Sequence, residues 1–175
     1  MINDQYKCIF MHITKTGGSS IEEVFDYRGI KHHRPEEMIE NIGQEKWDNY
    51  FKFTFVRNPW DRLVSEYFYR IKKGSTSVNF KSWLVEMRGF DSWAGGLQSK
   101  WMQERNFDFV GRFENFQNDF DQICQKINHP KVLLPHANST THQHYSAYYD
   151  EESKDLVRNW HKADIELFDY DFCKT

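Results

Sequence analysis

Lys15-Thr16-Gly17-Gly18-Ser19-Ser20 offers an anion more partners than any other stretch of this chain. The lysine brings charge, the two serines bring hydroxyls, and the glycines let backbone N–H groups approach a ligand with no Cβ in the way. Placed between a strand and a helix, such a loop forms a phosphate cradle. An ordinary glycine turn with a serine cap uses the same residues, and it is the lysine ahead of the glycines that shifts the balance toward the cradle. The order is not that of a Walker loop, GxxxxGK[ST], whose lysine follows the last glycine and reaches back over the β and γ phosphates, so a nucleotide triphosphatase is disfavoured.

A second segment, Phe53-Thr54-Phe55-Val56-Arg57-Asn58-Pro59-Trp60-Asp61-Arg62-Leu63-Val64-Ser65, puts an arginine at a strand end and a serine two helical turns later. A guanidinium and a hydroxyl can share one phosphate. Taken alone, the segment also fits an Arg57 paired with a surface carboxylate and a Ser65 that fills a small space. His142-Gln143-His144 has no carboxylate or cysteine at metal-ligand spacing and reads as loop.

The elements that must hold these residues alternate. Tyr6 to His12 reads as a strand that runs into the glycine loop, after which Ile21, Val24, Phe25 and Arg28 recur at helical spacing. Phe51 to Val56 reads as a second strand, with Asn58 suited to cap a helix and Pro59 to its first turn. Trp60, Leu63, Val64, Tyr67, Phe68 and Ile71 then mark one apolar helix face. Phe107 to Arg112 reads as a third strand leading into a helix over Phe113, Phe116, Phe120, Ile123 and Ile127, and Val132 to Leu134 as a short fourth strand. Asp150-Glu151-Glu152 opens a last helix, its acidic start favoured by the helix dipole. Strand–helix alternation predicts the α/β class with a mainly parallel sheet, whose ligands sit beyond the carboxyl ends of the strands. The stretch from Gly89 to Asn106 reads as a loop able to cover a site.

With 175 residues the chain fits one domain, 1–175, and its 15 Phe, 9 Tyr and 6 Trp supply a core despite a mean hydropathy of −0.82. A net charge of −3 argues against a general nucleic-acid or anionic-membrane binder. Cys8, Cys124 and Cys173 are odd in number and widely spaced, so they read as reduced, buried thiols rather than a disulfide framework. Neither a leader peptide nor a membrane span is legible, and a cytoplasmic protein is the expectation.

Together Phe10-Met11-His12-Ile13-Thr14-Lys15-Thr16-Gly17-Gly18-Ser19-Ser20 and Phe53 to Ser65 resemble the carbohydrate sulfotransferase family that includes the heparan sulfate 2-O- and chondroitin 4-O-sulfotransferases. Weaker likeness continues through Val110-Gly111-Arg112-Phe113-Glu114-Asn115-Phe116, Leu134 to Ser139, and Tyr148 to Tyr170, so it spans nearly the whole chain. One departure is Ser19-Ser20 where the family more often has Thr-Ser; another is the missing N-terminal anchor and stem of luminal members.

The resemblance implies a three-layer fold like that of P-loop nucleotide-binding domains. It implies 3'-phosphoadenosine-5'-phosphosulfate as sulfo donor, with adenosine 3',5'-diphosphate as product. Lys15, Thr16, Gly17, Gly18, Ser19 and Ser20 would form the 5'-phosphosulfate loop, and Arg57 and Ser65 would hold the 3'-phosphate. Lys15 would also stabilise charge on the departing oxygen, and no metal is required. The acceptor hydroxyl needs a base, histidine being the usual candidate near pH 7. The family's base falls within Lys31-His32-His33-Arg34, where spacing to Glu37 and Met38 favours His32 over His33. Arg112 and Asn138-Ser139-Thr140-Thr141 sit where the family places contacts to the adenosine end, though a strand-end charge and a turn explain them equally.

The expected partners are thus the nucleotide donor and a hydroxyl acceptor, first of all a carbohydrate, on whose sugar rings Trp93 and Trp101 could stack if they are not buried beneath their loop. The nearest enzymatic alternative is a kinase-like phosphotransferase on the same fold, separable by magnesium dependence. From another class comes a non-catalytic nucleotide- or glycan-binding protein, against which Lys15 and His32 argue.

Overall fold

A computed structural model describes residues 1–29, 31–88, 96–102, 106–135 and 142–173. The elements run β1 (Ile2–Asn3), β2 (Cys8–Met11), α1 (Gly18–Val24), α2 (Pro35–Ile42), α3 (Gln44–Asn49), β3 (Phe51–Val56), α4 (Pro59–Lys72), α5 (Phe80–Met87), β4 (Phe109–Arg112), α6 (Phe116–Lys126), α7 (Glu151–Trp160) and α8 (Lys162–Phe168). Strands form one sheet of order β1-β2-β3-β4, in which β2, β3 and β4 are parallel and β1 is antiparallel to β2. This is the α/β class that the alternation predicted. Register places Met11 beside Thr54 and Val56 beside Arg112.

Cys8, Ile9, Phe10 and Met11 are all wholly buried, so β2 is covered on both faces, as a parallel sheet flanked by helices requires. On one face Phe10, Phe53 and Phe55 pack with Ile21 of α1 and Phe120 and Ile123 of α6. Gly111 of β4 is a glycine because Phe55 occupies the space its Cβ would need.

The chain divides into two compact units, Met1–Val56 with Trp101–Asn138, and Arg57–Lys100 with Ser139–Thr175. The first carries the sheet. The second has its own core, in which Trp60, Leu63 and Val64 of α4 meet Phe80, Trp83 and Leu84 of α5 and Val157 of α7. Each such side chain contributes about 1.5–3 kcal/mol when fully buried. As expected, the Asn58 side chain accepts from the Trp60 N–H at 3.1 Å with Pro59 in the first turn. Asp150 and Ser153 cap α7 reciprocally, each side chain accepting from the other's N–H at 2.8 and 2.9 Å.

Three local expectations are corrected. Val132–Leu134 is not a strand: the Gln117 side chain donates to the Val132 carbonyl at 3.0 Å and accepts from the Leu134 N–H at 2.9 Å, satisfying in place of a ladder the groups a strand would pair. β1 is the sheet's fourth strand instead. α1 ends at Val24, leaving Phe25 as its cap and Arg28 beyond it. Cys173 is exposed, whereas Cys8 and Cys124 are buried thiols, with burial raising them to about 12 and about 11.

Candidate functional site

The glycine loop leaves the carboxyl end of β2 and enters α1, as the sequence requires of a phosphate cradle. Its backbone is tightly wound. Lys15 has φ of 66° and Gly17 has φ of 84°, both left-handed, and for a lysine this conformation costs on the order of 1–3 kcal/mol. The surrounding contacts hold it there. Thr16 is fully buried and its hydroxyl donates to the Ile13 carbonyl at 2.8 Å, so this side chain braces the loop from within. The Ser20 N–H donates to the Gly17 carbonyl at 3.0 Å. Ser19 and Lys15 are half-buried, while Ser20 is buried.

Neither glycine can be replaced without movement. A Cβ on Gly17 would lie 2.8 Å from the Phe116 ring in a backbone conformation that side chains rarely adopt, and one on Gly18 would run into the His12 ring. His12 thus lies flat against the loop. Its Nδ1 donates to Glu22 Oε1 at 2.8 Å, with both residues buried. Lys31 Nζ stands 2.5 Å from the other carboxylate oxygen. Burial pushes the Glu22 carboxyl up, but His12 and Lys31 outweigh it and hold the group below its ordinary value.

His32 joins this group from the segment ahead of α2. Its Nδ1 lies 2.9 Å from the His12 carbonyl oxygen and its ring centroid 4.2 Å from that of His12. A carbonyl can only accept, so Nδ1 carries the proton and the basic lone pair is on Nε2. Burial, and then the neighbouring His12, lower the His32 pKa and favour the neutral ring that a general base needs. The residue sits at φ of 63°, a second strained position in the same cluster. His33 is placed differently, with its Nδ1 3.7 Å from Glu37 Oε2 at the start of α2.

In the second unit Arg57 follows β3 directly and is buried, its Nε donating to Asp61 Oδ2 at 2.8 Å. The carboxylate partner considered from the sequence is therefore present, one turn along α4. Ser65 lies near the middle of α4 and is also buried. At the end of β4 the Arg112 N–H donates to Asp119 Oδ2 at 2.7 Å. Trp101 is buried with the Arg34 guanidinium 5.7 Å from its ring centre; Trp93 and Asn138-Ser139-Thr140-Thr141 lie outside the described residues. His142 stacks on Phe68 at 4.9 Å, and His144 Nδ1 meets Ser146 Oγ at 2.8 Å, so these two rings are engaged separately.

A strand, a lysine–glycine loop and a helix thus meet at the carboxyl edge of the parallel strands. The sulfotransferase family model matches residues 1–171. The chain belongs to the sulfotransferase family. A relative from Archaeoglobus fulgidus, described as an uncharacterized protein, is 30% identical over 123 residues, which is 63% of this chain and 96% of the relative. Among solved structures, a sulfotransferase from Alicyclobacillus acidocaldarius matches with a TM-score of 0.49 and 17% identity, over 78% of this chain. The present chain spans 60% of the length of that protein.

In this family member, sequence reasoning did not single out Glu22, which pairs with His12 beside the glycine loop. Glu22 lies ten residues from His12 with no periodic signal linking them, and only the return of α1 beside the end of β2 brings the two together. A buried carboxylate was the one available clue, since Glu22 falls next to Ile21 on the inward face of α1.

Proposed function

We propose that this chain transfers the sulfo group of 3'-phosphoadenosine-5'-phosphosulfate to an acceptor hydroxyl, with a carbohydrate as acceptor. The observation that carries this reading is the Lys15–Ser20 loop, set between β2 and α1 in a chain of the sulfotransferase family. The donor supplies an activated sulfur whose leaving group is adenosine 3',5'-diphosphate. Backbone N–H groups of the loop and the hydroxyls of Ser19 and Ser20 hold the 5'-phosphosulfate, with Gly17 and Gly18 keeping the approach open and Thr16 bracing it. Arg57 and Ser65 hold the 3'-phosphate.

His32 takes the acceptor proton on Nε2 as the acceptor oxygen attacks sulfur in line. Its Nδ1 bond to the His12 carbonyl keeps the lone pair on the nitrogen that must accept. Lys15 neutralises the charge that grows on the bridging oxygen as the S–O bond to the departing diphosphate breaks. No step in this sequence calls for a metal.

The test is calorimetric titration with adenosine 3',5'-diphosphate and with ATP, both without magnesium, followed by transfer of labelled sulfo groups to a panel of glycans, glycolipids, small hydroxyl metabolites and tyrosyl peptides. Tight binding that depends on the 3'-phosphate, with label on a glycan, is the expected result. A preference for magnesium-ATP would overturn the donor assignment, and label on a non-sugar acceptor alone would overturn the acceptor class.

A further inference from the structure

Beyond the last ladder pair of β3, Val56 with Arg112, a backbone needs new partners for its polar groups. For Arg57 they come from one side chain. Gln98 Oε1 accepts from the Arg57 N–H at 2.9 Å, and Gln98 Nε2 donates to the Arg57 carbonyl at 2.9 Å. The amide thus pairs with a single residue as a neighbouring strand would, although Gln98 is 41 residues away in sequence. Its orientation is fixed. Nε2 also lies 3.4 Å from Asp164 Oδ2, so two acceptors face the NH2 end and one donor faces the oxygen.

Asp164 of α8 holds the segment that carries this amide. Its carboxylate accepts from the Gln98 N–H and the Ser99 N–H, both at 2.8 Å, and neither Gln98 nor Asp164 is exposed to solvent. The Arg62 guanidinium, also buried, interacts electrostatically with Asp164 and donates to the Gly96 carbonyl at 2.8 Å. His161 adds a ring nitrogen 3.6 Å from Asp164 Oδ2, beyond hydrogen-bond reach. An apolar plug could fill the same volume at lower desolvation cost, since burying polar and charged groups stabilises little by itself. What this network supplies that apolar packing cannot is direction, because it pins both the N–H and the carbonyl of Arg57.

We infer that Gln98, oriented by Asp164, is a positioning residue that aims Arg57 at the 3'-phosphate of the donor nucleotide. This rests on the reading of Arg57 proposed above. The amide does not touch the nucleotide; it fixes the peptide from which the guanidinium extends, while Asp61 fixes Nε. A contact made by a rigid cation survives small thermal displacements that a loosely held one does not, so the clamp contributes to discrimination between nucleotides with and without the 3'-phosphate.

The experiment measures the affinity ratio of adenosine 3',5'-diphosphate to adenosine 5'-monophosphate for the wild type, Arg57→Ala and Gln98→Met. Methionine keeps the length and loses both hydrogen bonds. The expected result is a wild-type preference for the diphosphate that Arg57→Ala abolishes and Gln98→Met lowers by roughly tenfold or more, with monophosphate affinity unchanged. A merely structural role lowers the folded fraction and leaves this ratio where it was. Should Gln98→Met not fold, Gln98→Asn, one methylene shorter and still an amide, is read by the same ratio. A wild-type ratio in the folded Gln98 variant, with Arg57→Ala impaired, overturns the clamp alone. No 3'-phosphate preference in the wild type removes the Arg57 assignment itself, and the clamp with it.

Discussion

The polar groups of the two units are held in opposite ways. Around His12 the first unit uses wound backbone: Lys15, Gly17 and His32 all have left-handed φ, and Lys15, Ser19 and His32 are half-buried. Around Arg57 the second unit uses a buried side-chain network in which Gln98, Asp164 and Arg62 are fully enclosed. The difference matches the proposed chemistry. Groups that act on charge as it develops must be displayed at a fixed point, which the wound loop does at a cost in local stability. A group that binds a phosphate present before and after reaction needs only a fixed origin, which a dry network supplies.

That contrast is broken most directly at His32. His32→Ala is expected to lower kcat by roughly 10²–10⁴-fold, the range of a general base, with adenosine 3',5'-diphosphate affinity retained. Steady-state kinetics with calorimetry on the same preparation checks it, and unchanged kcat would move the base elsewhere. Lys15→Ala follows, with a loss of about 10²–10³ in kcat, the range for one preorganised partner of a growing charge. If instead it weakened diphosphate binding and left kcat alone, the lysine would belong with Arg57 among ground-state contacts.

Gly18→Ala sharpens the comparison on the stability side. The new methyl meets the His12 ring, so His12 must shift from Glu22 or the loop must open, at about 1–3 kcal/mol. Chemical denaturation measures this, and a neutral result would mean that His12 is not pinned. Gly43→Ala, with φ of 85° and nothing within 4 Å of a Cβ, measures separately the backbone cost that Gly17, and not Gly18, would also carry.

The smallest effect is in pH. Burial lowers the pKa of both His32 and His161 below the ordinary 6.5, so the unfolded chain binds more protons than the folded one between the folded and ordinary values. Stability is therefore present above 6.5 and is lost as pH falls below it, through the folded values. His161, with neither ring nitrogen hydrogen-bonded, contributes at most about 1.4 kcal/mol per pH unit over this window. His161→Phe should flatten the pH dependence of Tm there. Equal slopes in variant and wild type would remove His161 as a contributor.

Local sequence pattern placed β3 over Phe51–Val56 as a compact run of β-formers and the apolar face of α4 by its helical period, although the hydrogen bonds of β3 are made to β2 and β4. It failed at Val132–Leu134, where a compact β-forming run looks like a strand but its backbone is paired by the Gln117 side chain. The glycine loop was legible for the same local reason as β3, since its residue types state the conformation they need. His32 was singled out over His33 by its likeness to a family, and the geometry that distinguishes the two rings is a bond to the His12 carbonyl twenty residues back.

What the sequence by itself determined about this protein was the order of strand, loop and helix and the identity of the residues that can bind an anion, because backbone preference and side-chain chemistry act locally. Only the tertiary structure decided which of those residues are held and by what. Glu22 against His12 and Gln98 against Arg57 are pairings at distances of 10 and 41 residues. They form because burial leaves their polar atoms no water, and no spacing along the chain encodes that.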